Sequence, residues 1–398
     1  MLHQTLSEER ILDVDSVRGF ALFGILIVNI CAFLSPFYGA SVADPFFTSE
    51  LDMAVRFLVA FLFEMKFYLL FSFLFGYSFT LQMQSAGKAG AAFLPRILRR
   101  QAGLWAIGLL HAVLLFHGDI LTTYAVLGAL LLAFRHTSEA KVLRLAKGLI
   151  IATAVLWASL GLTQILVPSV IDFSTSLSDA AKIMAAYRET PATVIAQHLR
   201  DLGEIWLVTG AMQAPCAFAM FLAGMAAGKR RMLADFKTYA PFYARMLRIG
   251  LLVGLPASAL YAYGAVYLVG SGWDVLGLAL GILLGPFLTA AYLAGAMMLF
   301  QQKAGQPLAA ALAPAGRMAL SNYLLQSMIC AVLFHAYGFR LMGQWPPLAG
   351  VLVAVAIFLL QLALSRWWMA RFAYGPLEWG LRAITIAAWP KWRKATSA

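Results

Sequence analysis

The residues able to do chemistry stand out because almost everything around them is apolar. The stretch "RILDVDSVRGFALFGILIVNICAF" carries Asp13, Asp15 and Arg18 at its start and Asn29 inside it. Asp15, Arg18 and Asn29 are 3 and 11 residues apart, and at about 100° per residue these offsets put all three on one stripe of a helix. One reading is an interfacial ion pair with an interhelical amide bond from Asn29. The other is a polar path through a bilayer, because ionisable groups there face protein or a water-filled cavity.

Three further groups follow. "GLLHAVLLFHGDIL" places His111 six residues before His117, with Asp119 in the next turn and Tyr124 on the returning segment. Asn29 is six residues before the outer end of its own apolar run, so Asn29 and His111 are expected at one depth, about 9 Å below the outer surface. Asn29, His111, Asp119 and Tyr124 form a candidate catalytic layer. "FEMKFYLLFSFLFG" carries Glu64 and Lys66, which two residues apart cannot face each other on a helix. Lys66 therefore needs a partner on another helix or an acidic ligand group. "GRMALSNYLLQS" brings Arg317, Asn322 and Gln326 toward Asp15 and Arg18, and "YGPLEWGLR" adds Glu378, Trp379 and Arg382. Arginines at an inner mouth suit phosphate through paired N–H donors, and they also suit membrane anchoring. Asp15, Arg18, Lys66, Arg317, Asn322 and Gln326 are the candidate substrate-binding set. No Walker loop, dinucleotide glycine fingerprint, HExxH or nucleophile elbow is present. Cys31, Cys216 and Cys330 lie scattered in apolar segments and form no metal or disulfide spacing, so no metal is expected.

The elements that position these residues are membrane helices. Of 398 residues 62% are hydrophobic and 12% charged, against about 25% charged in soluble domains. Mean hydropathy is +0.80. The sequence predicts an all-α, polytopic helix bundle in one membrane domain over 1–398. Ten spans are expected at 17–35, 55–83, 97–116, 119–134, 148–167, 206–227, 246–269, 275–300, 317–337 and 347–365. The first is read as retained, not as a cleaved leader. With that numbering 24 of the 30 Lys and Arg residues fall in cytoplasmic segments and only Lys182, Arg188, Arg200 and Arg340 outside, which puts both termini inside. The net charge of +12 then reflects topology rather than nucleic-acid binding. Residues 168–205 are expected as an extracytoplasmic loop forming an outer cap or amphipathic helix, and 366–398 as a cytoplasmic interfacial tail. "FLFGYSF" at 73–79 and "FLAGMAA" at 221–227 echo each other 148 residues apart, consistent with a parallel duplication or with chance recurrence of Gly-rich apolar strings.

"LDVDSVRGFALFGILIVN", "KFYLLFSFLFG", "GLLHAVLLFHGDILTTYA", "GRMALSNYLLQS" and "YGPLEWGLR" together resemble the YeiB family of bacterial inner-membrane proteins over nearly the whole chain and in that family's order. The first-helix motif is also similar to that of heparan-α-glucosaminide N-acetyltransferase and its bacterial relatives, which pass an acyl group from cytoplasmic acetyl-CoA to a sugar amine across the membrane. Their Arg-Gly…Val-Asn run matches Arg18, Gly19, Val28 and Asn29, and the Asn belongs to their active site. Their catalytic His, eleven residues later, is replaced here by Ala40, so His111 would have to take its place. The resemblance implies an acyltransferase. Arg18 and Arg317 would hold acyl-CoA or acetyl-CoA as donor, His111 would be a general base oriented by Asp119, and Asn29 an oxyanion donor. A permease for a small anion or metabolite, drawing on Lys66, Glu64 and the repeat, is the second expectation. Expected partners are membrane lipids and a small-molecule donor and acceptor, with homo-oligomerisation left open.

Overall fold

The structure is a computed structural model that describes residues 2–39, 42–88, 90, 92–167 and 177–394. In chain order its helices are α1 (Leu2–Leu34), α2 (Glu50–Leu62), α3 (Lys66–Lys88), α4 (Phe93–Leu114), α5 (Leu121–Leu130) and α6 (Glu139–Leu166). They continue with α7 (Leu177–Glu189), α8 (Pro191–Val208), α9 (Ala214–Lys229), α10 (Phe236–Tyr267) and α11 (Gly272–Phe300). The last four are α12 (Gln306–Arg317), α13 (Ala319–Phe334), α14 (Pro347–Arg371) and α15 (Pro376–Ile386). No β-strand ladder occurs among the described residues, only a single bridge between Phe372 and Arg393. An all-helical architecture is what a bilayer requires of a chain that satisfies its own backbone groups.

Among the described residues seven helical stretches are long and apolar enough to cross a membrane, against the ten spans expected: Leu12–Leu34, Glu50–Lys88, Glu139–Leu166, Pro191–Lys229, Phe236–Tyr267, Gly272–Phe300 and Pro347–Arg371. The pair α12–α13, bent by 80°, makes an eighth. The segment at 97–116 is α4, whose first turns carry Arg96, Arg99 and Arg100. The segment at 119–134 is the ten-residue α5 with a short 3₁₀ turn. Charge excludes the first from that class and length the second. Within the expected outer loop at 168–205, residues 177–189 form the helix α7, and from Pro191 the chain is in the helix that reaches Lys229. Residues 168–176 and 395–398, parts of the expected loop and tail, lie outside the described residues.

Two spans are broken, and in each case side chains occupy the freed backbone groups. Between α2 and α3, Met65 turns left-handed at φ 66°. The carbonyls released at the end of α2 each find a donor: Lys66 Nζ to Ala60 O at 2.7 Å, Ser258 Oγ to Phe61 O at 2.6 Å and Tyr292 OH to Leu62 O at 2.9 Å. Between α12 and α13 the chain bends at Met318, with Pro314 inside the last turn of α12. Asn322 Nδ2 donates to Ala315 O at 3.2 Å from one side of that bend. From the other, the Glu378 carboxylate accepts from Leu320 N (2.7 Å), Ser321 N (3.0 Å) and Ser321 Oγ (2.5 Å). A carboxylate there satisfies the open amides of α13 and complements its dipole.

Close backbone approach depends on a few glycines. A Cβ at Gly19 would meet the Leu312 carbonyl, and one at Gly316 would meet the Asp15 carbonyl, so α1 and α12 lie antiparallel with backbones in contact, as small residues allow. Gly19 follows Arg18 and Gly316 precedes Arg317, so this contact brings the two arginines to one place. The echoing strings also pack on each other. Gly76 of α3 faces the Phe221 carbonyl of α9, Gly224 faces the Phe73 carbonyl, and Gly228 faces Thr80. The helices run parallel, and residues 148 apart exchange roles across the contact, the signature of a local two-fold. The break before α3 and the π-helical segment Thr209–Gln213 before α9 fall at corresponding positions. A Val at Gly316 or Gly224 would overpack a backbone contact, costing about 1–3 kcal/mol or more. In detergent, Gly316→Val and Gly224→Val are expected to lower the apparent melting temperature by several degrees. Gly87→Val, at a position with open space around it, should leave it nearly unchanged.

Candidate functional site

The α1–α12 contact opens onto a cavity of about 400 Å³, at the small end for ligand sites. Its mouth gathers guanidinium groups from four elements: Arg18 on α1, Arg100 on α4, Arg317 at the end of α12 and Arg382 on α15. Two carboxylates are close by. Asp15 accepts from Arg18 Nη1 at 2.5 Å, and Glu378 is engaged by the amides of α13. Glu378 lies outside the spans, and its burial raises its pKa against the pull of the hydrogen bonds it accepts. Arg18 also donates from Nη2 to Ser78 Oγ at 2.5 Å. Arg100 lies over the Phe75 ring at 5.2 Å, with its Nη1 buried and without a hydrogen-bond partner. Four cations against two occupied carboxylates leave an unmet demand for anion. Deeper in, the walls are Leu22, Ile25, Phe71, Leu74 and Leu121, and the inner end is closed by Tyr124 and Tyr323.

Tyr124 OH donates to Tyr68 O at 3.0 Å and pairs with Ser72 Oγ at 2.6 Å. Behind Tyr323, whose ring centre is 5.0 Å from that of His111, lies a fully buried polar group. His111 Nδ1 is 2.8 Å from Asp119 Oδ1, and His111 Nε2 is 2.8 Å from Ser327 Oγ. Asp119 Oδ2 accepts from Thr122 N at 2.8 Å and Thr122 Oγ1 at 2.9 Å. Local structure sets this up: Gly108 has no room for a Cβ against Thr122 N, so the turn carrying Asp119 sits directly on α4 just before His111.

The expected site residues therefore separate. Arg18, Arg317 and Tyr124 line one cavity, with Asp15 holding Arg18. His111 and Asp119 pair behind it. Asn29 stands on the same face of α1 as Arg18, Leu22 and Ile25, one turn beyond Ile25, half-buried and outside the cavity lining. Lys66, read as a substrate-binding residue, is instead fully buried at the α2–α3 break, bound to Ala60 O and 5.3 Å over the Tyr261 ring. Glu64, beside it, accepts from Tyr38 OH and Tyr261 OH. Asn322 and Gln326 are also turned away from the cavity. Asn322 Nδ2 donates to Ser365 Oγ at 2.9 Å and Gln326 Nε2 to Gln361 Oε1 at 2.8 Å, so both stitch α13 to α14. Ala40, where the missing histidine would stand, lies outside the described residues. Arg100 and Ser327 were not anticipated. Arg100 reads as one more basic residue at a helix end, and Ser327 as a small polar residue in an apolar run.

A second polar cluster lies beyond His111. His117 Nδ1 donates to Tyr187 OH at 2.8 Å, and that hydroxyl donates to Asp201 Oδ2 at 2.8 Å. His198 Nδ1 donates to Val113 O at 3.0 Å, leaving its Nε2 unpartnered, and His335 stacks on Tyr187 with both ring nitrogens unpartnered. Among the described residues no three His, Cys, Asp or Glu side chains are arranged to hold a metal ion. Burial pushes His117 down to about 4 from the ordinary imidazole value near 6.5. Between those values the unfolded chain binds a proton that the folded protein does not, so this contribution to stability is complete above about pH 6.5 and is lost as pH falls toward 4. The apparent melting temperature should drop between pH 7 and pH 5, and His117→Phe should flatten that slope. An unchanged slope would contradict a buried neutral imidazole.

The family described as "Protein of unknown function (DUF418)" matches residues 227–388. The chain is 31% identical over 421 residues to the uncharacterized protein YxaH of Bacillus subtilis, covering 99% of each chain. It is 30% identical over 409 residues to the uncharacterized protein YeiB of Escherichia coli, covering 96% of this chain and 97% of that protein.

Proposed function

The chain belongs to the YeiB family of helical membrane proteins, and from that premise we propose that it is a transmembrane acyltransferase that takes its donor, an acyl-CoA, at the arginine-lined mouth. The observation that carries this reading is the buried, unpartnered Nη1 of Arg100 among Arg18, Arg317 and Arg382. Guanidinium groups left without counter-charge at the rim of an apolar cavity suit an amphiphile with phosphates at one end. A volume of about 400 Å³ fits an acyl–pantetheine arm, with the nucleotide held outside on the arginines. Asp15 orients Arg18. Asn29, next on the α1 face that lines the cavity, would donate to a developing oxyanion. His111, oriented by Asp119, is the general base toward a hydroxyl or amine acceptor on a sugar or envelope component.

This reading sets both termini and the 366–398 tail in the cytoplasm of a bacterial inner membrane and α7 outside. It counts α4 and α5 as completing ten crossings in concert with their neighbours. The basic-residue asymmetry supports the orientation. In intact cells a Cys placed at Ser178 should be labelled by an impermeant maleimide; labelling only after lysis would reverse the orientation. A second reading, a permease for a small anion, has its support in the paired α3 and α9, since parallel repeats build many transporters.

Calorimetry on the detergent-purified protein tests the donor. Acetyl-CoA should bind, and Arg18→Ala and Arg100→Ala should each weaken binding about tenfold or more, the scale of one charge-assisted hydrogen bond. No binding by the wild-type protein would end the acyl-CoA assignment. Flux of a labelled anion through proteoliposomes without acyl transfer would establish the permease instead.

A further inference from the structure

We infer that Ser327 is a catalytic nucleophile and that acyl transfer passes through an acyl-Ser327 ester. Ser327 Oγ, His111 and Asp119 come from α13, α4 and the turn before α5, and they are linked by two hydrogen bonds of 2.8 Å. Nucleophile, base and orienting carboxylate in that order, on separate elements, are recognised by geometry rather than by sequence order. The proton positions follow from the bonds. Asp119 takes both Thr122 donors on Oδ2, which leaves Oδ1 to accept from His111 Nδ1–H. Nε2 then presents its lone pair to the Ser327 hydroxyl. The other acceptor within reach of that hydroxyl, Tyr323 O, is distant at 3.4 Å.

A purely structural role explains less. Asp119 is already satisfied as the cap of the turn at Thr122, and α13 is already tied to α14 by Asn322 and Gln326. The buried His111–Ser327 hydrogen bond adds only about 0.5–1.5 kcal/mol to stability, so the packing of α13 on α4 does not depend on it. The triad also lies next to the arginine-mouthed cavity, behind its lining residues Ile120, Leu121 and Tyr323. Tyr323, a lining residue of that cavity one helical turn before Ser327, stands between them with its ring centre 5.0 Å from that of His111.

The proposal rests on the acyl-transfer reading for its donor. In the first step Ser327 Oγ attacks the thioester carbonyl. The O–C bond forms, the C–S bond breaks, and the hydroxyl proton passes through His111 Nε2 to the departing thiolate, which leaves as free CoA thiol. In the second step the acceptor hydroxyl or amine gives its proton to His111 Nε2 and attacks the ester carbonyl. Ser327 Oγ leaves with the proton returned from His111.

The test uses a serine-directed fluorophosphonate on the full-length protein in detergent, with the adduct located by peptide mass spectrometry. An adduct at Ser327 is expected, absent in Ser327→Ala and formed about 10²-fold or more slowly in His111→Ala. Ser327→Cys is expected to accept an acyl group from acetyl-CoA as a hydroxylamine-labile thioester, a rescue that a structural serine would not give. No fluorophosphonate adduct at Ser327 in the wild-type protein overturns the proposal. This readout is independent of the donor. An adduct at Ser327 in protein that fails to bind acetyl-CoA keeps the nucleophile and removes only the CoA reading, whereas acetyl-CoA binding without an adduct does the reverse.

Discussion

A backbone carbonyl or amide released at a helix break inside a membrane has no water to turn to, and leaving it unpaired costs about 1–3 kcal/mol or more. Much of the buried polar chemistry of this protein answers that constraint. The α2–α3 break consumes Lys66, Ser258 and Tyr292. The α12–α13 bend consumes Asn322 and Glu378. Once those are assigned, the polar groups that the backbone does not need stand apart: the arginines at the cavity mouth and the His111 triad. The site is what remains after the breaks have been satisfied.

The same bends place the site. The 80° turn at Met318 lets α12 lie along α1 while α13 leads away to carry Tyr323 and Ser327 past the cavity. Gly19 and Gly316 hold the near end of this arrangement, each adjacent in sequence to the arginine it delivers. The paired α3 and α9 supply a second fixed seam. Their two-fold does not extend to the chemistry: 148 residues beyond His111 and Asp119 stand Ala259 and Tyr267, although Arg248 corresponds to Arg100. A scaffold that repeats, carrying a site that does not, weighs toward an enzyme built on one half and against a pore that uses both equally.

The sequence displays the helical membrane class, the Arg18–Asn29 stripe and the His111–Asp119 pair, because those signals are local: hydropathy, period and a turn. It does not display the partners of a break made elsewhere. Lys66 looks like a mid-membrane charge in search of a ligand, since nothing in its neighbourhood announces that the helix stops at Leu62. Asn322 and Gln326 share the periodicity of a cavity-facing stripe, yet α14 offers Ser365 and Gln361 at matching heights. The span count differs for a related reason. The apolar run of α4 reads as a crossing, whereas Arg96, Arg99 and Arg100 occupy its first two turns and keep it out of the seven long apolar stretches. Ser327 is invisible until α13 is folded against α4, because a serine in an apolar run has no signature of its own.

Between the two polar regions the structure places aromatic rings. From the cavity the order is Tyr323, His111, Phe116 and His117, with successive ring centres 5.0, 6.3 and 5.3 Å apart. Phe33 stacks on Phe116 at 4.6 Å and reaches His335 at 5.2 Å. A donor entering among arginines and an acceptor arriving among histidines would thus be separated by little more than one ring on each side of His111. Dispersion and stacking hold Phe116 and Phe33 in place without hydrogen bonds, whereas His111 is fixed by Asp119 and Ser327 and His117 by Tyr187. A wall of that kind keeps the two polar regions apart, and only its phenyl rings can shift without breaking a polar contact, while the imidazole between them stays tied on both nitrogens.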